Sequence, residues 1–511
     1  QKTVRETQKK ISRTKNSTKM SSGTNMYGSL LGVGVQDSNV DSDDDDSDDS
    51  DSLLFSSVRL LKKAESFTLP HNVDRGYRGT ELKLLSFARP HMRAFHGSWM
   101  CFFASFFLQF AMAPILPDIM RSLSLTKSEI WLTNVWSVVG GVPMRFVMGP
   151  LCDYHGGRTV MTSILAFSAI PCLLSGLAFN LGTLSFLRFI IGSFDTFVPG
   201  QYWITCHFVR EVGGTAMAIS SGWGAMGSAT TQLVVGSVIF PLCWFMSGSP
   251  DIAWRISMIV PAAFAISVAT FFYLYSDDCP LGNFREVKKA GLMLERSAVD
   301  SFRSGVLNLN SWILFFQHAG SYGVDLTMCN GATLYYSERF QQPTVTAAAI
   351  AFTYGVSAIF ARGLGGYISD RAYDIFSLRG RLAVQMGCMI LQGLLTLIFA
   401  RCDTLQWSIV VMIIFSIFVQ MSMGTCFGIV PYVDGPNTGS IAGVVGAGGN
   451  LGAILFGNIM RFTTHYQEAF EYIAWFTIGL SFLTPFIVIK GYRGILFGKE
   501  DESQRQTLLV P

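Results

Sequence analysis

From about residue 98 onward the chain is divided into twelve apolar stretches, each near the roughly 20 residues a helix needs to cross a hydrocarbon core. They fall at about 98–120, 130–152, 159–178, 182–205, 213–242 and 252–275 and, after a polar interval, at about 311–336, 344–369, 382–401, 405–431, 438–461 and 469–490. A membrane β-barrel would instead show alternating segments of about ten residues. The pattern therefore predicts an all-α membrane protein with 12 transmembrane helices in two sets of six, surrounded by the lipid bilayer. Composition agrees, since half of the 511 residues are apolar and only 14% are charged, far from the balance of a soluble domain.

The polar segments set the boundaries. Residues 1–95 open with scattered Lys and Arg and continue through an acidic run from Asp41 to Asp51. Such a block cannot bury enough apolar surface to offset its ordering entropy, so a disordered tail is expected there. Residues 96–275 make the first six-helix half, 276–309 a central loop, 310–490 the second half and 491–511 a C-terminal tail. The connections on the side of the termini hold ten basic residues: Arg158, Arg210, Arg285, Lys288, Lys289, Arg296, Arg303, Arg371, Arg379 and Arg381. The opposite connections hold about five, which predicts that both termini and the central loop are cytoplasmic.

Several function classes are disfavoured. The net charge of +3 is a small remainder of 38 basic and 35 acidic residues and gives no case for a nucleic-acid partner. The ten cysteines are scattered, and Cys101, Cys172 and Cys388 sit in apolar runs, so neither a metal site nor a cofactor is expected. With no nucleophile constellation and no phosphate loop, the chain does not read as an enzyme.

An internal repeat organises the rest. Arg145-x3-Gly149-x3-Asp153 recurs as Arg362-x3-Gly366-x3-Asp370, every residue of the second copy lying 217 positions after its counterpart. Six spans separate the copies, so both are oriented alike. The arrangement resembles the parallel repeat of major facilitator transporters, whose substrate site lies at mid-membrane between the halves. Likewise Gly149-Pro-Leu-Cys-Asp153-Tyr-His-Gly-Gly-Arg158 resembles the loop signature of that fold. The resemblance assigns Asp153, Arg158 and Asp370 to gating.

Arg145 and Arg362 lie well inside their spans. A charge there costs several kcal/mol and usually faces a cavity or a partner such as Asp195 or Asp325. Two fixed guanidinium groups at equivalent repeat positions fit an anion, and a planar one such as nitrate matches their planar donors better than lysine would.

Two glycine-rich strings complete the pattern, Gly222-Trp-Gly224-Ala-Met-Gly227 in the fifth span and Gly446-Ala-Gly448-Gly449-Asn450-Leu-Gly452 in the eleventh. Glycine at this density costs helix propensity and implies close packing or backbone approach to a substrate. The strings resemble the two signatures of the nitrate/nitrite porter family of the major facilitator superfamily, approximately A-G-W-G-N-M-G and G-A-G-G-N-x-G. Likeness to the plant and algal members extends over roughly residues 80–490, including Phe87-Ala-Arg-Pro-His-Met-Arg-Ala-Phe-His96, Thr196-Phe-Val-Pro-Gly-Gln-Tyr-Trp203, Asp278-Cys-Pro-Leu-Gly-Asn283 and Tyr322-Gly-Val-Asp-Leu-Thr327.

The resemblance implies import of nitrate, or nitrite, by proton symport with rocker-switch alternating access at the plasma membrane. A small accessory membrane subunit, as in some plant relatives, is compatible with it. Arg145, Arg362, Asn450, Phe197 and Tyr322 are then the anion-binding residues, and Asp325, Asp195 and His318 the candidates for proton coupling. Two positions depart from the pattern, Ala225 where the fifth-span signature has Asn, and Asp195 in place of a small residue. They leave open transport of another small anion. Some bacterial relatives exchange nitrate for nitrite, which is a second alternative, and a receptor that binds nitrate without moving it and signals through the acidic N-terminal tail is a third.

Overall fold

The computed structural model describes residues 66–289, 303, 305–434, 438–498 and 500–501. The basic start, the acidic run, Arg296 and the end of the C-terminal tail lie outside these residues. Among the described residues, ten helical segments are long and apolar enough to cross a membrane: α1 (His91–Ser122), α2 (Lys127–His155), α3 (Gly157–Ser175), α4 (Leu181–His207), α5 (Val212–Ser247), α6 (Pro250–Tyr275), α8 (Thr344–Phe376), α9 (Leu378–Ala400), α10 (Leu405–Val433) and α11 (Thr438–Phe462). The seventh and twelfth places are taken by α7 (Leu309–Arg339) and α12 (Tyr466–Ser481).

These two fall outside the ten for different reasons. With 31 residues α7 is long enough, but it carries buried Gln317, His318, Asp325 and Asn330, which lower its apolarity. α12 is a 16-residue helix that stops at Ser481 rather than continuing to residue 490. Pro485 sits in the following 3-10 turn, Thr484–Phe486, and has no N–H with which to extend an α-helix.

The N-terminal boundary also moves. From Ser66 the chain is structured, with a hairpin pairing His71–Asn72 to Arg78–Gly79, and α1 begins at His91 instead of residue 98. The reason is apolar cover within this otherwise polar stretch: Leu69 is buried with Met92, Phe95, Ile204 and Phe208.

Helix starts follow ordinary capping chemistry. Thr126 with Glu129, and Asn180 with Thr183, form capping boxes at the heads of α2 and α4. The interruptions matter more for function. α2 breaks at Gly140, between Lys127–Val139 and Gly141–His155. α4 is helical over Leu181–Ser193 and Phe197–His207, with Phe194, Asp195 and Thr196 outside the helix. α8 passes through a 3-10 turn at Ser357–Ile359 immediately before Arg362. Irregular backbone deep in a membrane protein is tolerated where neighbouring protein or a cavity satisfies it, and these three breaks surround one region.

Helix directions alternate, so the central connection lies at one end of the bundle, the loop end, and the turn between α1 and α2 at the other, the far end. Contacts between the two halves are prominent toward the far end. Trp131 of α2 fills the space in front of Gly331 of α7 and donates its indole N–H to the Tyr466 hydroxyl at 3.4 Å. Gln232 of α5 donates to the Cys329 carbonyl at 2.8 Å and accepts from the Thr333 hydroxyl at 2.7 Å.

The glycine strings divide by partner. A Cβ on Gly224 or Gly227 would strike α1 at Phe102 and Phe103, and a Cβ on Gly448 or Gly452 would strike the α7 carbonyls of Phe315 and Ala319. These are seams inside each half. Gly222 and Gly446 instead face the opposite half, against the Ala358 carbonyl and the Arg145 guanidinium. Because a Cβ at Gly452 would lie 2.1 Å from the Ala319 carbonyl oxygen, Gly452→Val should destabilise the protein by about 1–3 kcal/mol. Gly439→Ala meets nothing within 4 Å and should be neutral. Thermal unfolding in detergent checks this, and equal melting temperatures for the two variants would contradict the seam.

Candidate functional site

Arg145 and Arg362 are both buried, at 4% and 7% exposure. Arg145 is brought in by the second part of α2, one turn past the Gly140 break. Its Nη2 donates to Asp195 Oδ2 at 2.6 Å and lies 3.5 Å from the Tyr322 hydroxyl. The guanidinium carbon sits 5.4 Å from the Phe197 ring centroid and 5.3 Å from that of Tyr322, within cation–π range. Nη1 occupies the space that a side chain at Gly446 would fill, and Nε has no hydrogen-bond partner.

Arg362 is held differently. Nε and Nη2 donate to Gln420 Oε1 at 3.1 and 2.9 Å, and Nη1 donates across the halves to the Ser221 carbonyl at 3.2 Å. Asp325 Oδ2 is 4.0 Å away, and the Gln420 amide bridges the two by donating to Asp325 Oδ1 at 2.9 Å. The guanidinium groups therefore converge on α7, one at Tyr322 and the other at Asp325. Residues three apart are neighbours on a helix face, so α7 brings both charges to nearly the same depth.

The repeat is legible in these contacts. Arg145 to Asp195 joins α2 to α4, and Arg362 to Gln420 joins α8 to α10, the corresponding pair of helices in the other half. One version is ionic and the other neutral. Asp195 sits in the break of α4, where its Oδ1 accepts the Phe197 N–H at 2.9 Å while Oδ2 pairs with Arg145. His318 stacks on Tyr322 with ring centroids 5.2 Å apart and meets Phe427 edge-on at 5.1 Å. Phe197 and Phe427, from opposite halves, stand 5.6 Å apart. Asn450 reaches across to α2 and lies against Gly141, one turn before Arg145. Ala225 is buried, as its place in a glycine-rich seam requires.

The three expected gating residues lie away from this cluster. Arg158 donates to the Tyr273 and Ser276 carbonyls at 2.9 and 2.7 Å and pairs with Asp278 at 3.0 Å, so it ties α3 to the end of α6. Asp153 is exposed, and Asp370 pairs with Arg381 of α9.

Gln420, Phe427 and Arg188 are structurally central but do not stand out as sequence candidates. Gln420 and Phe427 leave no signal in a single sequence. Arg188 does leave one, being a charge inside the 182–205 span, but Leu405 occupies its place 217 positions on, so the repeat does not mark it.

Two helical halves with buried polar groups at their interface match the architecture of a membrane carrier. Comparison with known proteins makes the assignment specific. The family model described as Major Facilitator Superfamily matches residues 98–457. High affinity nitrate transporter 2.7 of Arabidopsis thaliana is 36% identical over 406 residues, covering 76% of this chain and 81% of that protein. Nitrate transporter 2.1 of Chlamydomonas reinhardtii is 33% identical over 454 residues, covering 86% and 82%. Among solved structures, a bacterial homologue of the human lysosomal transporter Spinster, inward-facing and unoccupied, superposes with a TM-score of 0.54 at 16% identity, over 77% of this chain and 94% of that one, and shows the same fold. The chain belongs to the Major Facilitator Superfamily, in the branch that contains these nitrate transporters. It is a multi-pass membrane transporter and not an enzyme.

Gln420 holds Arg362 and Asp325 together, and hydrogen bonds to charged groups contribute about 1.5–3 kcal/mol each. Gln420→Leu should therefore raise the KM for substrate by roughly tenfold or more. A KM within twofold of wild type, at equal surface expression, would show that the amide does not organise the site.

Proposed function

We propose that this chain imports nitrate, and also accepts nitrite, by proton symport. The observation that carries the reading is the pair of buried arginines on repeat-related helices, both turned toward the same stretch of α7. Each guanidinium stays charged and offers in-plane donors to a planar oxyanion. The plant and algal nitrate transporters quoted above support the choice of cargo. Phe197, Tyr322 and Asn450 complete the anion-binding set, and Gly222 and Gly446 keep the facing helices close. Arg158, Asp153 and Asp370 act at the loop end as gating residues.

Moving an anion into a cell that is negative inside costs about 2.3 kcal/mol per charge per 100 mV, so accumulation needs a coupled cation. The Asp195–Arg145 pair suggests how the proton enters. The Asp195 carboxylate occupies Arg145 as an internal anion. Protonation of Asp195 removes that competitor and frees Arg145 for nitrate, so proton and anion load together. Asp325, linked to Arg362 through Gln420, and His318, stacked on Tyr322, are further candidates on the same route.

Twelve spans, cytoplasmic termini and a plasma-membrane location complete the proposal, with a small accessory subunit compatible with it. In that orientation the far end is extracellular, and the contacts of Trp131 and Gln232 close the outer side. The halves would rock about the arginines to open it.

The test is uptake of isotope-labelled nitrate and nitrite by cells expressing the full chain, across external pH. Uptake should rise with acidity. Arg145→Lys and Arg362→Lys should each lower it by roughly tenfold or more, because an ammonium cannot reproduce the guanidinium donors. In Asp195→Asn, Arg145 is free at every pH, so the rise of uptake with acidity should flatten. A chain correctly placed in the membrane that moves neither anion would refute the proposal.

A further inference from the structure

Arg188, on the first part of α4, is a third guanidinium inside the bundle, and at 2% exposure it is buried at least as deeply as the other two. Its Nη1 donates to the Thr133 hydroxyl at 2.8 Å and to Asn134 Oδ1 at 2.7 Å, and its Nη2 donates across the halves to Asn330 Oδ1 at 2.8 Å. All three acceptors are neutral. Among the described residues no carboxylate lies within salt-bridge distance of it, whereas Arg145 has Asp195 and Arg362 has Asp325. Among the described residues Arg188 is thus a buried positive charge that no side chain balances.

Two donors at this place lack acceptors. Arg188 Nε has no hydrogen-bond partner, and neither has Asn134 Nδ2, on a side chain only 4% exposed. Arg188 draws the Asn134 oxygen to itself, which leaves the amide N–H2 of that residue unused. A cavity of about 10 Å³ adjoins Asn134 and Asn330, the two residues whose amide oxygens Arg188 holds, and Trp131, Val138, Leu326 and Thr327 also line it. It has room for about one water molecule. The place lies seven residues before Asp195 on α4, about 10 Å toward the far end at the rise of an α-helix.

A tie between helices does not need a charge. Neutral side chains would cross-link α2, α4 and α7 without the cost of an uncompensated cation in a lipid-embedded bundle. Keeping the charge is useful if an anion neutralises it during part of the cycle. Resting on the anion reading above, we propose that Arg188 and Asn134 form a second anion station, on the far side of the Arg145–Arg362 site, which holds nitrate transiently as it enters. When the far end is closed, as here, the station is too small for nitrate and Asn330 completes the shell of Arg188. Separation of the halves withdraws Asn330, widens the cavity and exposes the unmatched charge, and the anion then passes inward to Arg145.

Binding and transport test this together, with the purified full chain in lipid nanodiscs and with expressing cells. Isotope-labelled nitrate in equilibrium dialysis should approach two anions per wild-type chain. Arg188→Gln should remove the weaker one and raise the uptake KM roughly tenfold with Vmax nearly unchanged. Asn134→Asp guards against a folding defect, because it preserves side-chain size and gives Arg188 an internal counter-ion. It should elute and melt like wild type yet show the same loss. In the Arg145→Lys, Arg362→Lys double variant the weaker anion should remain, and adding Asn134→Asp should abolish it. One nitrate per wild-type chain, or an unchanged count and KM in both Arg188→Gln and Asn134→Asp, overturns the station while leaving the central site intact. No nitrate bound to wild type overturns both.

Discussion

A guanidinium inside a lipid-embedded bundle has no bulk water to solvate it, so every group placed around it must supply oxygen atoms, negative charge or an aromatic face. Much of the interior follows from that demand. Arg145 takes a carboxylate and two rings, Arg362 a side-chain amide, a backbone carbonyl and a more distant carboxylate, and Arg188 three neutral oxygens. The polar character of α7 has the same origin. That helix faces all three arginines and carries Tyr322, Asp325 and Asn330 to meet them, and for this reason it is less apolar than its neighbours.

The two halves share a plan but not its chemistry. The contact from α2 to α4 and the contact from α8 to α10 join corresponding helices, yet the first is an ion pair at 2.6 Å and the second a neutral amide bridge. A repeat with identical contacts would leave both arginines equally matched. Here Arg145 meets its carboxylate directly, whereas Arg362 meets Asp325 at 4.0 Å and is joined to it through the Gln420 amide. The glycine strings show a similar division, since in each only one of the quoted glycines faces the other half and the rest pack within their own.

Much of this was legible before any coordinates. The membrane-spanning helical fold, the repeat of Arg145 in Arg362 and the pairing of these arginines with Asp195 and Asp325 follow from length, periodicity and the cost of charge in lipid. What could not be read were partners distant in sequence. Gln420 looks like any polar residue in a span until the fold sets it 2.9 Å from Arg362. Arg188 was visible as a buried charge, but without a repeat counterpart only its neutral surroundings reveal its character. Boundaries failed where a short-range rule was overridden or overlooked. Pro485 ends α12 early, and Leu69 gives a stretch of the polar tail something to pack against.

The break in α4 has a mechanical implication. Asp195 uses one oxygen to fix the first N–H of the rod Phe197–His207 and the other to hold Arg145. It is both the clasp of a charge and the pivot of a lever. Whatever draws the second oxygen away also tugs at the first, and with it the angle between the two rods of α4. Occupancy of the interior can thereby be converted into a bend in the helix that lines it, with no separate sensor required.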